Sequence, residues 1–384
     1  MESSLRISDI AEIKQVILQP TPLCNLNCSY CYLPESSRSA NKQMVVETAI
    51  RALSVLVDSQ CLADEVEIRW HAGEPLIVPP SFYAEVIKGI RQVVPKRIKI
   101  KHSIQTNGTL ISDEWCELFL QQEIRVGISV DGPLFLHDRN RLTKGGKGTH
   151  DKVMQGIKKL RTYEVPFEVI AVVTSETLEV PDKFYAFFNE LNPIIVALNI
   201  EESECGYDSH LLQNKDFITR YKEFFSRIYE LQREGRIKFR EIEEIQRVIM
   251  FNKEERYNLQ VQPFAIVTID WAGNLYTYSP ELAGMKHMDY SSFSLGNVME
   301  HTLERMLYST LLEKISSDIS SGVELCEKNC EYFSLCGGGA PANKLYENGT
   351  FVSTDTGYCQ ARIQVPTDIV LAGLEAKKLS KQNM

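Results

Sequence analysis

The chain has no basic start followed by an apolar core of the signal-peptide type and no apolar run long enough to span a bilayer. It also has no internal repeat and no low-complexity tract. These absences argue against secretion, membrane insertion and a fibrous or disordered state, and the expected location is the cytoplasm. Positive charge is not in excess: 42 Lys plus Arg stand against 51 Asp plus Glu, for a net charge of -9. That balance argues against a phosphate-tracking surface, so no nucleic-acid partner is expected. The most informative absence is a thiol. Cys24, Cys28 and Cys31 follow the apolar stretch Val16 to Leu18 within eight positions, and no fourth cysteine lies near them.

At 384 residues, 43% hydrophobic and 24% charged, the chain has room for one large and one smaller module around a sizeable core. Ten cysteines without a secretion signal point to metal or redox chemistry in a reducing compartment. Seven of the ten fall in two clusters; Cys61 and Cys116 read as packing residues, and Cys205, after a strand end, is left unassigned. An iron-sulfur cube needs one ligand per iron, so three close thiolates can grip it and leave one iron open. A zinc half-site is the alternative, but the second pair that structural zinc favours is missing from this segment.

From Val16 to about Glu204, strand-like and amphipathic helical runs alternate. The strands are expected at Val16–Gln19, Glu65–Trp70, Ile98–Gln105, Arg125–Val130, Phe167–Thr174 and Ile194–Ile200. Helices between them include Glu47–Asp58, Ser81–Val94, Asp113–Gln122, His150–Tyr163 and Pro181–Leu191. Such units imply an α/β fold with a parallel sheet whose carboxyl rim carries the site. Leu211 to Phe251 reads as two connecting helices broken at Glu234-Gly235, and Phe264 to Tyr278 as a β-hairpin.

The cysteines follow the first strand; Trp70-His71-Ala72-Gly73-Glu74-Pro75 follows the second, Gln105-Thr106-Asn107-Gly108 the third, and Ser129-Val130-Asp131-Gly132 the fourth. Each is weak alone, since strand-to-helix turns use the same residues. Together they place thiolates, a carboxylate, an amide and a hydroxyl around one rim. Lys144-Gly145-Gly146-Lys147-Gly148 lacks the spacing of a phosphate-binding loop and reads as a flexible connection.

The Cys-x3-Cys-x2-Cys run with Tyr30 before its last cysteine, and Gly73-Glu74-Pro75 after strand two, resemble the radical S-adenosylmethionine enzymes. The resemblance implies a partial (β/α)6 barrel of the TIM type. It also implies an open iron chelated by the methionine end of the cofactor, and a deoxyadenosyl radical that removes a hydrogen atom from substrate. On this reading Cys24, Cys28 and Cys31 hold the cube and Tyr30 lies near the adenine. Gly73 and Glu74 meet the methionine amine, and Asn107 and Ser129 lie beside the ribose or carboxylate. Arg141 pairs with the carboxylate in the two-pronged way. Asp131 is assigned to turn geometry or ribose contact. Ala72 stands where many relatives have a second Gly.

A second cluster, Cys326, Cys330, Cys336 and Cys359, supplies four thiolates, a closed set suited to electron transfer or support, with structural zinc as the alternative. This region resembles the auxiliary-cluster domain called SPASM, with Ser279 and Ala340 at positions where the full domain has cysteines. One auxiliary 4Fe-4S cluster is therefore expected, unless Cys205 or a non-cysteine ligand rescues a second. The expected division is 1–205 barrel, 206–258 helical connector and 259–384 SPASM-like domain.

More narrowly, Ser279-Pro280-Glu281-Leu282-Ala283-Gly284, Cys336-Gly337-Gly338-Gly339-Ala340-Pro341 and Tyr346-Glu347-Asn348-Gly349-Thr350-Phe351 resemble the GrrM-type peptide maturases. That resemblance implies a ribosomal precursor peptide as substrate, a cyclophane cross-link from an aromatic ring to a β-carbon, and an external reductant such as flavodoxin or ferredoxin. About fifteen residues precede the first strand, too few for a fused recognition domain. Rival readings are a formylglycine-type or thioether-forming maturase and a non-catalytic metal-binding module.

Overall fold

In the parallel strands, charged and apolar residues alternate: Glu65-Val66-Glu67-Ile68-Arg69-Trp70 carries Val66, Ile68 and Trp70 fully buried on one face. A strand alternates this way when one of its faces meets a core and the other does not. The computed structural model, which describes residues 10–204, 207–251 and 258–382, shows both faces. Cys205 lies outside the described residues.

Six parallel strands, β1 (Ile13–Leu18), β2 (Leu62–Trp70), β3 (Lys99–Thr106), β4 (Arg125–Ser129), β5 (Phe167–Val173) and β6 (Val196–Ile200), stand in sequence order in one sheet. The barrel they curve into is open. Helices α1 (Val46–Asp58), α2 (Pro80–Val93), α3 (Asp113–Gln121), α4 (His150–Thr162) and α5 (Pro181–Leu191) return the chain between them. Each buries one apolar stripe against the outer face, as α1 does with Ala49, Ala52, Leu53 and Leu56. A buried Leu or Ile in such a layer contributes about 1.5–3 kcal/mol relative to exposure. The inner face is polar: Glu67 Oε1 accepts from Arg69 Nη2 at 3.1 Å and Arg125 Nη2 at 2.8 Å, and Glu67 also accepts from Ser103 Oγ.

The connector is two helices, α6 (Phe217–Glu234) and α7 (Arg240–Phe251), broken at Gly235 as expected. The hairpin forms too, as β7 (Ile266–Ile269) and β8 (Asn274–Thr277), but it does not stand apart. β7 pairs in parallel with β1, with Val16 opposite Val267, and β8 and the short β9 (Gly296–Asn297) extend the sheet to nine strands. The four residues of β7 are all buried, as a strand covered on both faces requires. The C-terminal region then adds α8 (Thr310–Asn329), α9 (Pro341–Asn348) and α10 (Val365–Gln382). Among the described residues no helix is long and apolar enough to cross a membrane.

One loop departs from expectation. The segment from Lys144 to Gly148 is not a loose connection: Leu142 bridges Gly148, and Thr143 and Lys147 close a turn with an N–H to O distance of 2.8 Å. Gly148 packs against the Asp138 carboxylate, which takes the backbone N–H groups of Thr149 and His150 at 2.7 and 2.8 Å.

Candidate active site

The carboxyl ends of β1 to β6 release their loops at one rim, where Cys24, Cys28 and Cys31 line a cavity of about 240 Å³. Neighbouring loops pin the cysteine segment. Cys24 N–H donates to Arg38 O at 3.0 Å, Asn27 N–H to Leu142 O at 2.7 Å and Ser29 N–H to Asn140 O at 3.0 Å. Burial pushes the Cys24 thiol up to about 12, with the Glu74 charge adding to it, and the Cys28 thiol up to about 11. The metal-free thiols therefore keep their protons, and a metal that binds must displace them.

Gly73 holds the next loop against this segment. Its φ is +57°, and a Cβ there would sit 2.4 Å from Thr21 O and 2.6 Å from Leu23 O. Only a residue without a side chain permits that approach. Ala72 beside it also has a left-handed φ of 74°, strain that a glycine would not carry. Glu74 is buried and accepts three hydrogen bonds, from Leu76 N at 2.9 Å, Thr106 Oγ1 at 2.6 Å and Asn107 N at 2.8 Å. Burial raises its carboxyl to about 6 despite these bonds. The carboxylate ties the β2 loop to the β3 loop, and Gly73 and Glu74 both line the cavity.

Arg141 lines the cavity, but its two-pronged grip is taken. Nε and Nη2 donate to Asp131 at 2.9 and 3.1 Å, and the guanidinium lies 5.4 Å from the centre of the Tyr30 ring. Tyr30 OH donates to the same carboxylate, and Val172 N–H adds a bond at 3.0 Å. Arg141 and Asp131 form a buried ion pair beneath the cavity wall, which Tyr30 and Arg141 both line. Asp131, expected in turn geometry or ribose contact, is the hub that joins the cysteine loop to β4, β5 and Arg141.

Ser129 and Asn107 line the same cavity. Ser129 Oγ accepts from Gln105 Nε2 at 3.0 Å, and Asn107 Nδ2 donates to Asn25 Oδ1 at 2.8 Å while its Oδ1 accepts from Thr109 N at 3.0 Å. The wall also includes residues that sequence reasoning did not single out. His71 is kept neutral, near 4, by burial and then by the Arg69 charge. Glu202 reaches in from the end of β6 and accepts from Asn343 Nδ2 at 2.6 Å. Burial pushes its carboxyl up, and repulsion from Glu281 and Glu347 adds to this. His71 stands in the noticed strand-two motif, whereas the meeting of Glu202 with Asn343 spans 141 positions and leaves no local signal.

The second thiol set lies at helix ends. Cys326 continues the buried stripe of α8 after Leu312, Ile315, Ile319 and Gly322, at the spacing of a helix face. Cys330 follows that helix, Cys336 ends the short helix Phe333–Cys336, and Cys359 N–H is capped by Thr356 Oγ1 at 2.9 Å. Gly337, Gly338 and Gly339 have φ of 64, 106 and 78°, so the turn after Cys336 is left-handed throughout. Asn258 Nδ2 fastens it through Cys336 O and Gly339 O at 3.0 and 2.7 Å.

All four thiols line one cavity of about 280 Å³. A single zinc ion would draw its sulfurs to about 2.3 Å from one point, whereas one water occupies about 30 Å³ of liquid. Among the described residues no three Cys, His, Asp or Glu side chains meet closely enough to share one ion. Three cysteines line the first cavity and four the second, the donor counts of a cube with one open iron and of a closed cube.

The model of the Radical SAM superfamily matches residues 18–188. An uncharacterised protein of Synechocystis sp. is 36% identical over 375 residues, 96% of this chain and 94% of that protein. A serine-type anaerobic sulfatase-maturating enzyme of Bacteroides thetaiotaomicron is 28% identical, over 86% of this chain and 83% of its own length. The solved structure of anSMEcpe with bound AdoMet and Cp18Cys peptide superposes with a TM-score of 0.76 at 22% identity, covering 94% of this chain and 98% of that one, a likeness of fold.

Proposed function

The chain belongs to the radical SAM superfamily, which uses S-adenosylmethionine and a 4Fe-4S cluster, and from that premise we propose that it matures a ribosomal precursor peptide. The modification is a three-residue cyclophane, an aromatic ring joined to the β-carbon of a nearby residue. The observation that carries this reading is the thiol count, three around one cavity and four around the other. Ser279, where the full auxiliary domain has a cysteine, is 1% exposed and hydrogen-bonded to Glu281, and Ala340 is buried at the start of α9. A peptide substrate is supported by the maturase relative and by the peptide bound in the solved anSMEcpe structure.

Bound at the rim, a cube held by Cys24, Cys28 and Cys31 supplies, with S-adenosylmethionine, the one-electron chemistry that removes a hydrogen atom from a substrate carbon. The chain's own residues position and shield. Glu74 and Gly73 fix the turn against which the cofactor would lie, and the Asp131–Arg141–Tyr30 network closes the opposite wall. Ser129 and Asn107 present polar edges for its ribose or carboxylate. Cys326, Cys330, Cys336 and Cys359 would hold a second cube without an open iron, the acceptor of the electron released as the ring regains aromaticity. A flavodoxin or ferredoxin supplies the starting electron.

A formylglycine-forming reaction is the second reading, favoured by the likeness to the sulfatase-maturating enzyme. One experiment separates them: reduced protein, S-adenosylmethionine and a candidate precursor, followed by product mass and fragmentation. The cross-link predicts deoxyadenosine, loss of two hydrogens and no backbone fragments between the joined residues. An aldehyde-reactive product supports the second reading, and an epimerised peptide of unchanged mass rejects both.

A further inference from the structure

The ammonium of Lys344 is buried against one of the auxiliary thiols. Lys344 lies on α9 and is 3% exposed; its Nζ donates to Gly322 O at 2.9 Å and to Cys326 Sγ at 3.1 Å. One glycine keeps this corner open: at Gly322 a Cβ would meet the Phe351 carbonyl oxygen at 2.1 Å and Lys344 Nζ at 3.4 Å. A buried cation ordinarily faces an anion, because desolvation is otherwise uncompensated. The partners found here are a carbonyl and a thiol, so the anion that matches this lysine is the thiolate of a loaded centre. Hydrogen bonds to cluster sulfurs and nearby charge set reduction potentials, and a cation stabilises the more negative, reduced state.

We propose that Lys344 is a positioning residue of the auxiliary centre: through Cys326 it raises the reduction potential of the cube held there and makes that cube the better electron acceptor. The inference rests on the reading of Cys326, Cys330, Cys336 and Cys359 as ligands of one closed cluster.

The test is a redox titration of the full chain loaded with iron and sulfide, followed by electron paramagnetic resonance with and without S-adenosylmethionine. The cofactor perturbs the signal of the open cluster and leaves the closed one unchanged, which assigns the two. In Lys344→Met the unperturbed signal is expected to need at least a tenfold change in its reduction equilibrium, a midpoint lower by at least 59 mV for one electron. Lys344→Arg, which keeps the charge, is expected to stay near the parent value. An unmoved midpoint in Lys344→Met with both clusters intact overturns the proposal while the cluster reading stands. If Lys344→Met loses its second cluster, Lys344→Gln decides, and an unmoved midpoint there overturns the proposal. If the parent chain itself binds only enough iron and sulfide for one cube, the reading of a second cluster fails, and the proposal with it.

Discussion

The two thiol sets differ in what surrounds them more than in their cysteines. At the barrel rim three thiols sit on one short loop, and the loops after β2, β3 and β4 supply the cavity's other walls through Glu74, Asn107, Ser129 and Arg141. In the C-terminal region four thiols come from separate helix ends, and their cavity is closed by the same segments that carry them, Asn329 to Cys336 and Thr354 to Cys359 among them. An open site is built by the scaffold around it, and a closed one by its own ligands. Damage to barrel loops should therefore reach the first centre and spare the second.

Removing a thiol has the largest effect. Cys24→Ala, Cys28→Ala or Cys31→Ala is expected to abolish deoxyadenosine formation and remove one cube's iron and sulfide. Cys336→Ala is expected to remove the other cube and keep S-adenosylmethionine cleavage. Iron and sulfide analysis beside a deoxyadenosine assay checks both, and loss of cleavage in Cys336→Ala would break the comparison.

Next is the buried ion pair. Asp131→Asn leaves Arg141 buried with no matching charge, a loss of about 3–5 kcal/mol measurable by denaturant unfolding. The paired change of Asp131→Asn with Arg141→Met should cost less than the single one. The auxiliary signal should survive in both.

Glu74 gives a smaller, pH-dependent effect. Its carboxyl titrates at about 6 in the folded chain against 4.5 without burial, so the folded state holds the proton more tightly. The associated stability is fully present below 4.5 and is lost as pH rises through about 6, roughly 2 kcal/mol in all. Stability of the metal-free protein measured across that window should fall in the parent and fall less steeply in Glu74→Gln, where the other raised carboxyls still titrate. Last, Ala72→Gly relieves a left-handed φ and should stabilise the chain by about 1 kcal/mol, read as a small rise in Tm.

Much of the barrel was legible because its signals are local. The β-branched runs of β5 and the amphipathic period of α5 end within a residue or two of expectation, and α5 stops where Asn192 turns left-handed. The cysteine spacings were equally plain. The joining of β7 to β1 was hidden because a hairpin's residues record their own pairing but not the third strand beside them. The wall chemistry was hidden for the same reason: Glu74 looks like a free anion in sequence until Thr106 and Asn107 fold onto it, 32 and 33 positions on. Arg141 looks like a loop arginine until Asp131 and Tyr30 close around it. Lys344 lies in Asn343-Lys344-Leu345, and nothing in that run points to a thiol 18 positions back.

Mössbauer spectroscopy of the full chain loaded with enriched iron, before and after S-adenosylmethionine, tests the open iron at the rim most directly. A single iron of the first cube is expected to change its coordination, no iron of the second to do so, and Cys28→Ala to abolish the change. A spectrum in which no iron responds to the cofactor, or in which the responding iron survives Cys28→Ala, would contradict an open iron at the rim.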